Sequence, residues 1–276
     1  MEQISNPVLK YYGSKFRIAK WVIEHFPKHK HYVEPFGGGA SVLLQKPLSP
    51  IETYNDLDAD VVNFFRVLRA MPDKVVRQIE LTPWARDEFK TCLENTKKKI
   101  ESARRLYFRL WMSHHAGTHC EKSSSFRRRK ERRPPAVDVR LPILYATAKR
   151  LRLVQIENRD ALKLITEMDS PDTLFYLDPP YPANTRTDKK RYALELNQEE
   201  QHRQLANIIL QLKGLVVLSG YRCELYEELF ERRGWQRVDK TTMVNGGASR
   251  IESLWLSPKT NKALLDLQRK NACDCR

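Results

Sequence analysis

The stretch HKHYVEPFGGGASVLLQK, residues 29–46, decides the fold class. Its residue pattern predicts a short apolar strand, a glycine-rich turn at Gly37–Gly39 and a helix after the turn. Glycines at the end of a strand let the backbone approach a ligand closely and present N–H groups where a helix begins. The turn lacks the G-x-G-x-x-G spacing of a dinucleotide fingerprint, so it does not by itself identify a ligand.

Strands and helices alternate along most of the chain. The segments IETYND (51–56), LRLVQIENRD (151–160), DTLFYLD (172–178) and GLVVLSGY (214–221) read as strands, and helical patterns at 57–71, 197–213 and 223–233 follow or separate them. Two last strands flank Asn245–Gly247, a triplet typical of a tight hairpin. This order predicts a Rossmann-like α/β fold, with a mostly parallel sheet, helices on both faces and an antiparallel C-terminal hairpin.

Residues 72–150 interrupt the alternation, because they are helical in pattern, rich in Lys and Arg, and hold no clear strand. We therefore predict an inserted basic helical domain at 72–150, between the 1–71 and 151–276 parts of the main domain. Within it, HHAGTHC (114–120) has no second half with finger-like spacing, so we expect a polar loop or DNA-facing surface and no metal there.

Composition narrows the class of partner. The chain has 276 residues, 41% of them hydrophobic, and a formal net charge of +15, which favours a polyanionic partner. We see neither an apolar run long enough to span a bilayer nor the apolar core of a signal peptide, so we expect a cytoplasmic protein that binds no membrane. The five scattered cysteines argue against a disulfide framework.

Two carboxylates stand at predicted strand ends. Asp56 lies 20 residues after Phe36, which is typical of an acid that binds ribose hydroxyls, although Asp56, Asn55 or Asp58 equally suits a helix cap. Asp178 ends another strand and begins DPPY (178–181), a sequence that is also common in simple turns. Because ligands bind at the carboxyl ends of strands in open α/β sheets, we expect both acids and the glycine turn to meet in one cleft.

Five segments in order carry a family resemblance. NPVLKYYGSK (6–15), VEPFGGGASVLL (33–44), YNDLD (54–58), YLDPPY (176–181) and LSGY (218–221) resemble the D12 class, or Dam-like family, of DNA adenine-N6 methyltransferases over nearly the whole chain. The resemblance implies S-adenosylmethionine as methyl donor and duplex DNA as substrate.

The resemblance also assigns residues. By position, the cofactor contacts are Tyr11, Lys15, Glu34, Pro35, Phe36, Gly37, Gly38, Gly39, Asp56, Asp160 and Asp178, and the catalytic tetrapeptide is Asp178, Pro179, Pro180 and Tyr181. Ala40 departs from the pattern, since the family often has a further glycine there.

The chemistry of adenine fits the tetrapeptide. The exocyclic amine is a poor nucleophile because its lone pair is delocalised, and two acceptors aimed at its N–H bonds make that lone pair available. Asp178 can supply one acceptor and the Pro179 carbonyl the other, held by the stiff Pro-Pro pair. The target atom cannot be reached inside a duplex, so the base must be extruded, and Tyr181 can stack on it.

The resemblance places target recognition in the inserted segment. There EKSSSFRRRKERRPP (121–135) supplies the DNA-binding candidates Arg127, Arg128, Arg129, Lys130, Arg132 and Arg133, and Arg186 lies in the polar stretch after Tyr181. A solvated loop is the alternative for the same charges. A Dam-like FNVP hairpin is not evident, so a GATC target does not follow.

Three other functions compete with adenine methylation. Cytosine-N4 methylation uses the same two acceptors, usually with Ser in place of Asp178. A DNA-binding protein without catalysis and a nicotinamide oxidoreductase are more distant alternatives, and the intact DPPY and missing G-x-G-x-x-G count against them. We expect a monomer or weak dimer.

Overall fold

Seven strands form one sheet in the computed structural model, which describes residues 4–113, 126–127, 141–181, 199–243 and 249–274. In chain order they are β1 (His31–Glu34), β2 (Ile51–Asn55), β3 (Val154–Glu157), β4 (Thr173–Leu177), β5 (Leu215–Gly220), β6 (Gln236–Met243) and β7 (Ser249–Leu256). Their order across the sheet is β3-β2-β1-β4-β5-β7-β6. The order reverses between β1 and β4, so the carboxyl ends of these two strands border the crevice where such sheets bind ligands.

The first five strands are parallel, and β7 runs antiparallel to both β5 and β6. All five residues of β4 are buried, as expected for a parallel strand covered on both faces. The predicted mixed sheet with an antiparallel C-terminal pair is therefore confirmed, while the predicted turn at Asn245–Gly247 lies outside the described residues.

Helices cover both faces of the sheet. They are α1 (Ala19–Ile23), α2 (Ala59–Ala70), α3 (Pro72–Leu81), α4 (Arg86–Thr91), α5 (Lys99–Met112), α6 (Leu141–Arg150), α7 (Ala161–Glu167), α8 (Glu199–Ile209), α9 (Glu224–Leu229) and α10 (Pro258–Asp274). One core packs Tyr32 and Tyr54 of the sheet against α2 and α5, and the other packs Val33 and Phe175 against α8 and α9.

The helices between residues 72 and 150 share the first of these cores. Val76 of α3, Tyr107 of α5 and Leu144 of α6 belong to the same buried cluster as Tyr32 of β1. The helical character predicted for the described part of this segment is thus present, and its independence as a domain of residues 72–150 stays a prediction.

Two local expectations differ from the structure. Residues 41–45 after the glycine turn form turns and not the predicted helix, because Ala40 has a positive φ of 54° and Pro47 follows closely. The helix α10 lies beyond the predicted hairpin strands; Pro258 occupies its first position and the Ser257 hydroxyl accepts a hydrogen bond from Thr260 N. Most of its side chains through residue 270 are exposed, so no apolar stripe marks it in the sequence.

Candidate active site

A cavity of about 390 Å³ opens at the carboxyl ends of β1, β2 and β4, within the size range of small-molecule sites. It brings together all eleven residues assigned to cofactor binding from the sequence. Its lining includes Tyr11, Lys15, Glu34, Pro35, Phe36, Gly37, Gly38, Gly39, Asp56, Asp160, Asp178 and Pro180. The expected meeting of the glycine turn and the two carboxylates is present, whereas the roles of the individual residues remain predictions.

The glycine turn is shaped by aromatic rings that press against it. Gly38 has a φ of +46°, and a Cβ there would lie 2.8 Å from the Tyr11 ring. A Cβ on Gly37 would lie 2.1 Å from the ring of Tyr54, whose hydroxyl donates to the Gly38 carbonyl at 2.7 Å. The glycines therefore allow two tyrosines to approach the backbone, and Tyr11 forms part of the cavity wall as a result.

Asp56 ties the end of β2 to this turn. Its Oδ2 accepts a hydrogen bond from Gly38 N at 2.7 Å, and its Oδ1 accepts one from Asp58 N at 2.8 Å. The cap of α2 is Asp58, which accepts from Asp60 N, so Asp56 is not occupied as the helix cap. Burial raises the pKa of Asp56 to about 6, although the two backbone hydrogen bonds act in the opposite direction.

Glu34, the last residue of β1, is a buried acid in the cavity wall. Its Oε2 accepts from the Tyr32 hydroxyl at 2.7 Å and from Leu43 N at 3.0 Å. Burial, helped by the nearby Asp178, raises its pKa to about 8, although the hydrogen bonds from Tyr32 and Leu43 act in the opposite direction. Glu34 is therefore mostly protonated at neutral pH, which the sequence did not indicate.

Asn55 is a structural residue of the site that the sequence reasoning considered only as a helix cap. Its amide donates to the carbonyls of Pro35 and Arg159, and its Oδ1 accepts from Arg159 N at 2.9 Å. The side chain thereby joins the loops after β1 and β3 across the end of β2. Asp160 follows in the second of these loops, is exposed, and caps α7 through a 2.9 Å bond from Lys163 N.

Asp178 and Lys15 form an ion pair at the edge of the cavity. Lys15 Nζ lies 3.0 Å from Asp178 Oδ2 and also donates to the Gly13 carbonyl at 3.0 Å. The side chains are 7% and 18% exposed, so the pair is largely shielded while one face of the carboxylate still meets the cavity. Lys15, assigned as a cofactor contact, therefore also contacts the first residue of the tetrapeptide.

Tyr181, the last residue of the tetrapeptide, is only 8% exposed. Its ring lies 4.8 Å from Lys15 Nζ and meets the Tyr221 ring edge to face, with centroids 4.5 Å apart. Its hydroxyl is 3.2 Å from Ser219 Oγ and 3.2 Å from Glu252 Oε2. The sequence reasoning missed Ser219, Tyr221 and Glu252 as site residues, although LSGY contains the first two.

Of the basic residues assigned to DNA, only Arg127 lies in the described part of the chain; Arg128, Arg129, Lys130, Arg132, Arg133 and Arg186 lie outside it, as does the His114–Cys120 cluster. Arg127 N donates to the Met112 carbonyl at 2.6 Å, and Trp84 Nε1 donates to the Arg127 carbonyl. Phe126 beside it packs against Trp84 and Phe89. The start of the arginine run is thus fixed to α5, while the side chain of Arg127 is exposed.

The end of α5 is also linked to the cavity wall. Lys10 Nζ donates to the Ser113 carbonyl at 3.0 Å, and Trp111 Nε1 donates to the Val8 carbonyl at 3.3 Å. Residues 8–10 lead directly into Tyr11, which lines the cavity. The anchored start of the arginine run therefore lies close to the N-terminal wall of the site.

The described residues contain no group of three or more His, Cys, Asp or Glu side chains arranged to hold a metal ion. No helix among them has the length and apolarity needed to cross a bilayer.

The fold and the site define an α/β enzyme with a ligand cavity at its switch point, and comparison with known proteins gives its family. The model of the D12 class of N6 adenine-specific DNA methyltransferases matches residues 11–244. The chain belongs to this family, and it is accordingly a DNA adenine methyltransferase. The predicted family and enzyme class are confirmed.

The chain is also similar to individual known proteins. A type II methyltransferase, M.MjaIII of Methanocaldococcus jannaschii, is 24% identical over 274 residues, which cover 87% of this chain and 92% of the relative. A DNA adenine methylase of Vibrio cholerae is 31% identical over 72 residues, 25% of each chain. A solved rRNA methylase structure from Streptococcus thermophilus aligns over 93% of this chain and 99% of its own, with 8% identity and a TM-score of 0.34.

Proposed function

We propose that this enzyme transfers a methyl group from S-adenosylmethionine to the N6 amine of an adenine extruded from duplex DNA. The observation that carries the proposal is the position of Asp178. It directly follows β4 at the switch point, faces the cavity that the glycine turn and Asp56 border, and is joined to Lys15 at 3.0 Å. An acceptor for the amine and a place for a methyl donor therefore share one crevice.

The cavity suits a nucleoside-containing donor such as S-adenosylmethionine. Its volume of about 390 Å³ fits a ligand of that size, and Asp56 presents a carboxylate at the end of β2, where ribose hydroxyls bind in related sheets. Tyr11 and Phe36 supply apolar walls, and Asp160 lies at the rim beside α7. The bound donor supplies the methyl group as an electrophilic sulfonium substituent.

The protein groups activate and hold the amine. Asp178 and the Pro179 carbonyl accept hydrogen bonds from the two N–H groups, which directs the nitrogen lone pair towards the methyl group. As the N–CH3 bond forms, the S–CH3 bond breaks, the neutral thioether leaves, and the surplus N6 proton passes through Asp178 to solvent. Lys15 fixes the orientation of the Asp178 carboxylate through their ion pair. Since Lys15 Nζ also lies over the Tyr181 ring, stacking of a base on that face requires the ammonium to move aside.

DNA contact follows from charge and from the anchored insert. The exposed Arg127 starts a basic run at a fixed point near residues 8–10, and further positive charge follows in the sequence up to Arg133. Such side chains contact phosphates and position the duplex, while they do not read its sequence.

The test is an incubation with labelled S-adenosylmethionine and unmethylated duplex DNA, followed by digestion to nucleosides and mass spectrometry. N6-methyldeoxyadenosine is expected from the wild type and not from Asp178→Ala. N4-methyldeoxycytidine as the product contradicts the base assignment. If Asp178→Ala turns over like the wild type, the role of the carboxylate is wrong.

The cofactor site has its own measurement. Asp56→Asn removes the charge that we assign to ribose, and we expect it to weaken S-adenosylmethionine binding by about tenfold, in line with the removal of one charge-assisted hydrogen bond. Asp172→Asn is the matched control, because Asp172 pairs with Lys30 at the opposite edge of the sheet, just before β4. Equal cofactor affinity in the two variants contradicts the assignment of Asp56.

A further inference from the structure

Glu252, on β7, joins the tyrosine of the tetrapeptide to a second tyrosine. Its Oε2 accepts a hydrogen bond from the Tyr181 hydroxyl and its Oε1 accepts one from the Tyr221 hydroxyl, both at 3.2 Å. The two rings meet edge to face with centroids 4.5 Å apart. One carboxylate thus fixes the relative position of two perpendicular aromatic rings beside Asp178.

The sheet register explains how a residue so distant in sequence reaches this point. Ser253 pairs with Gly220, the last residue of β5, so Glu252 lies just past the carboxyl edge of the parallel strands. Side chains alternate along β7, and Glu252 therefore faces the same side of the sheet as Leu254, which packs in the core with Tyr176. Ser219 reaches the same tyrosine hydroxyl from β5.

Both tyrosine hydroxyls are held by more than one group. The Tyr181 hydroxyl lies between Ser219 and Glu252, and the Tyr221 hydroxyl donates to Glu252 while it accepts from Arg250 Nη1 at 2.8 Å. The Arg250 guanidinium also lies 5.2 Å from the centroid of the Tyr221 ring. A ring whose hydroxyl has fixed partners cannot rotate or withdraw freely, so its face stays in place when a ligand moves against it.

We infer that Glu252 is a positioning residue for adenine methylation: it holds Tyr181 and Tyr221 as the two walls against which the extruded adenine is aligned. The inference rests on the proposed function. Glu252 acts through the two hydroxyls and contacts neither the base nor the methyl donor. The reaction depends on the hydrogen bonds between Glu252 and the two tyrosine hydroxyls, and it does not depend on the negative charge of Glu252.

This distinction determines the variants. Glu252→Ala removes both hydrogen bonds. Glu252→Gln keeps the length of the side chain and can accept from one hydroxyl and donate to the other, so it should restore the alignment without the charge. Asp239→Ala is the matched control, since Asp239 accepts from Ser253 on the same hairpin but belongs to the opposite face of the ribbon.

The measurement is kcat at saturating DNA and cofactor, with the Kd for S-adenosylmethionine determined separately by calorimetry. We expect Glu252→Ala to lower kcat by about tenfold or more, because small misplacements of reacting groups carry losses of that size. The Kd should stay within about twofold of the wild type. Glu252→Gln should recover most of kcat, and Asp239→Ala should match the wild type.

Several results overturn the inference. They are a wild-type kcat in Glu252→Ala, a Glu252→Gln variant as slow as Glu252→Ala, or a parallel loss of cofactor binding that indicates general damage. If Glu252→Ala does not fold, Glu252→Leu fills the space without hydrogen bonding and takes its place. Absence of N6-methyldeoxyadenosine with the wild-type enzyme instead contradicts the proposed function. The wild type therefore tests the proposed function, and the Glu252 variants test the role of Glu252.

Discussion

Lys15 Nζ lies 3.0 Å from Asp178 Oδ2 and 4.8 Å from the centroid of the Tyr181 ring. A residue of the N-terminal segment thus contacts both ends of the DPPY tetrapeptide. The ammonium neutralises the carboxylate and covers one face of the ring. In the proposed reaction, a base that stacks on the covered face of Tyr181 displaces the ammonium from that face.

The first prediction concerns this pair. Asp178→Asn should reduce methyl transfer by at least about 100-fold, because it removes the charged acceptor aimed at the developing positive charge. Lys15→Gln should reduce it less. With the methyl donor saturating, the double variant should be no worse than Asp178→Asn alone, since Lys15 then acts on the amine through Asp178. Single-turnover rates for the four proteins give this comparison.

The control for the cycle is Lys30→Gln with Asp172→Asn, an exposed pair at 2.8 Å. Its members should leave the rate unchanged. If the rate losses of the Lys15 and Asp178 single variants add exactly in the double variant, the two residues are not coupled.

The second prediction uses the pKa of Glu34. Burial raises it from 4.5 to about 8 in the folded protein, so the folded state holds a proton that the unfolded state releases above about pH 4.5. The stabilising contribution is therefore complete below about pH 4.5 and is lost, at about 1.4 kcal/mol per pH unit, as the pH rises towards 8. Glu34→Gln cannot ionise and should unfold at higher urea concentration than the wild type at pH 8, and at a similar concentration at pH 5.

Glu24→Gln, an exposed carboxylate at the end of α1, is the matched control and should show no such pH-dependent difference. If Glu34 also binds the methyl donor, as the sequence predicts, Glu34→Gln should combine greater stability at pH 8 with weaker cofactor binding. A variant no more stable than the wild type at pH 8 shows that Glu34 is ionised without a penalty in the fold.

The third prediction concerns a buried charge cluster at the opposite end of β2. Glu52 Oε1 accepts from Lys46 Nζ at 2.6 Å and from Arg150 Nη2 at 2.9 Å, and Arg150 Nη2 also donates to the Leu43 carbonyl. The side chains of all three charged residues are 6% exposed or less. Because removal of one partner leaves buried charge uncompensated, Glu52→Gln should lower the free energy of unfolding by about 3–5 kcal/mol.

Urea denaturation measures this loss, and Glu80→Gln is the control, since Glu80 is half exposed and its pair with Arg77 should contribute less than about 1 kcal/mol. Arg150 ends α6, so the cluster connects the last described helix of the 72–150 segment to the sheet. Equal stability of the two variants shows that the cluster is solvated more than its burial indicates.

How far the sequence predicts the site depends on the type of contact. Gly37, Asp56 and Asp178 follow strands whose carboxyl ends meet in any parallel sheet, so strand order alone is enough to bring them together. Glu252 belongs to an antiparallel strand, where a shift of one residue in register places its side chain on the other face. Only tertiary structure sets that register, and the sequence therefore did not reveal the Glu252–Tyr181 contact.

The packing of the glycine turn also depends on residues that are distant in sequence. Three successive glycines predict a close approach, but the approaching groups are the rings of Tyr11 and Tyr54, which come from two other segments. The turns that replace a helix after Ala40 have a local cause, because Ala40 takes a left-handed conformation and prolines follow at positions 47 and 50. The sequence contains both prolines, but the apolar residues before them favour a helix, and the prediction followed those apolar residues.

The last prediction tests the basic run that begins at the anchored Arg127. Replacing Arg127, Arg128 and Arg129 by alanine should flatten the plot of log K against log salt for duplex binding by about one unit for each phosphate that the variant no longer binds. The effect should be similar for unrelated duplex sequences, because binding to phosphates carries no sequence information. Arg232→Ala with Arg233→Ala is the control: both are exposed and lie just before β6, at the end of that strand away from the hairpin tip. An unchanged slope in the triple variant, with a reduced slope in the control, places the DNA on another face of the protein.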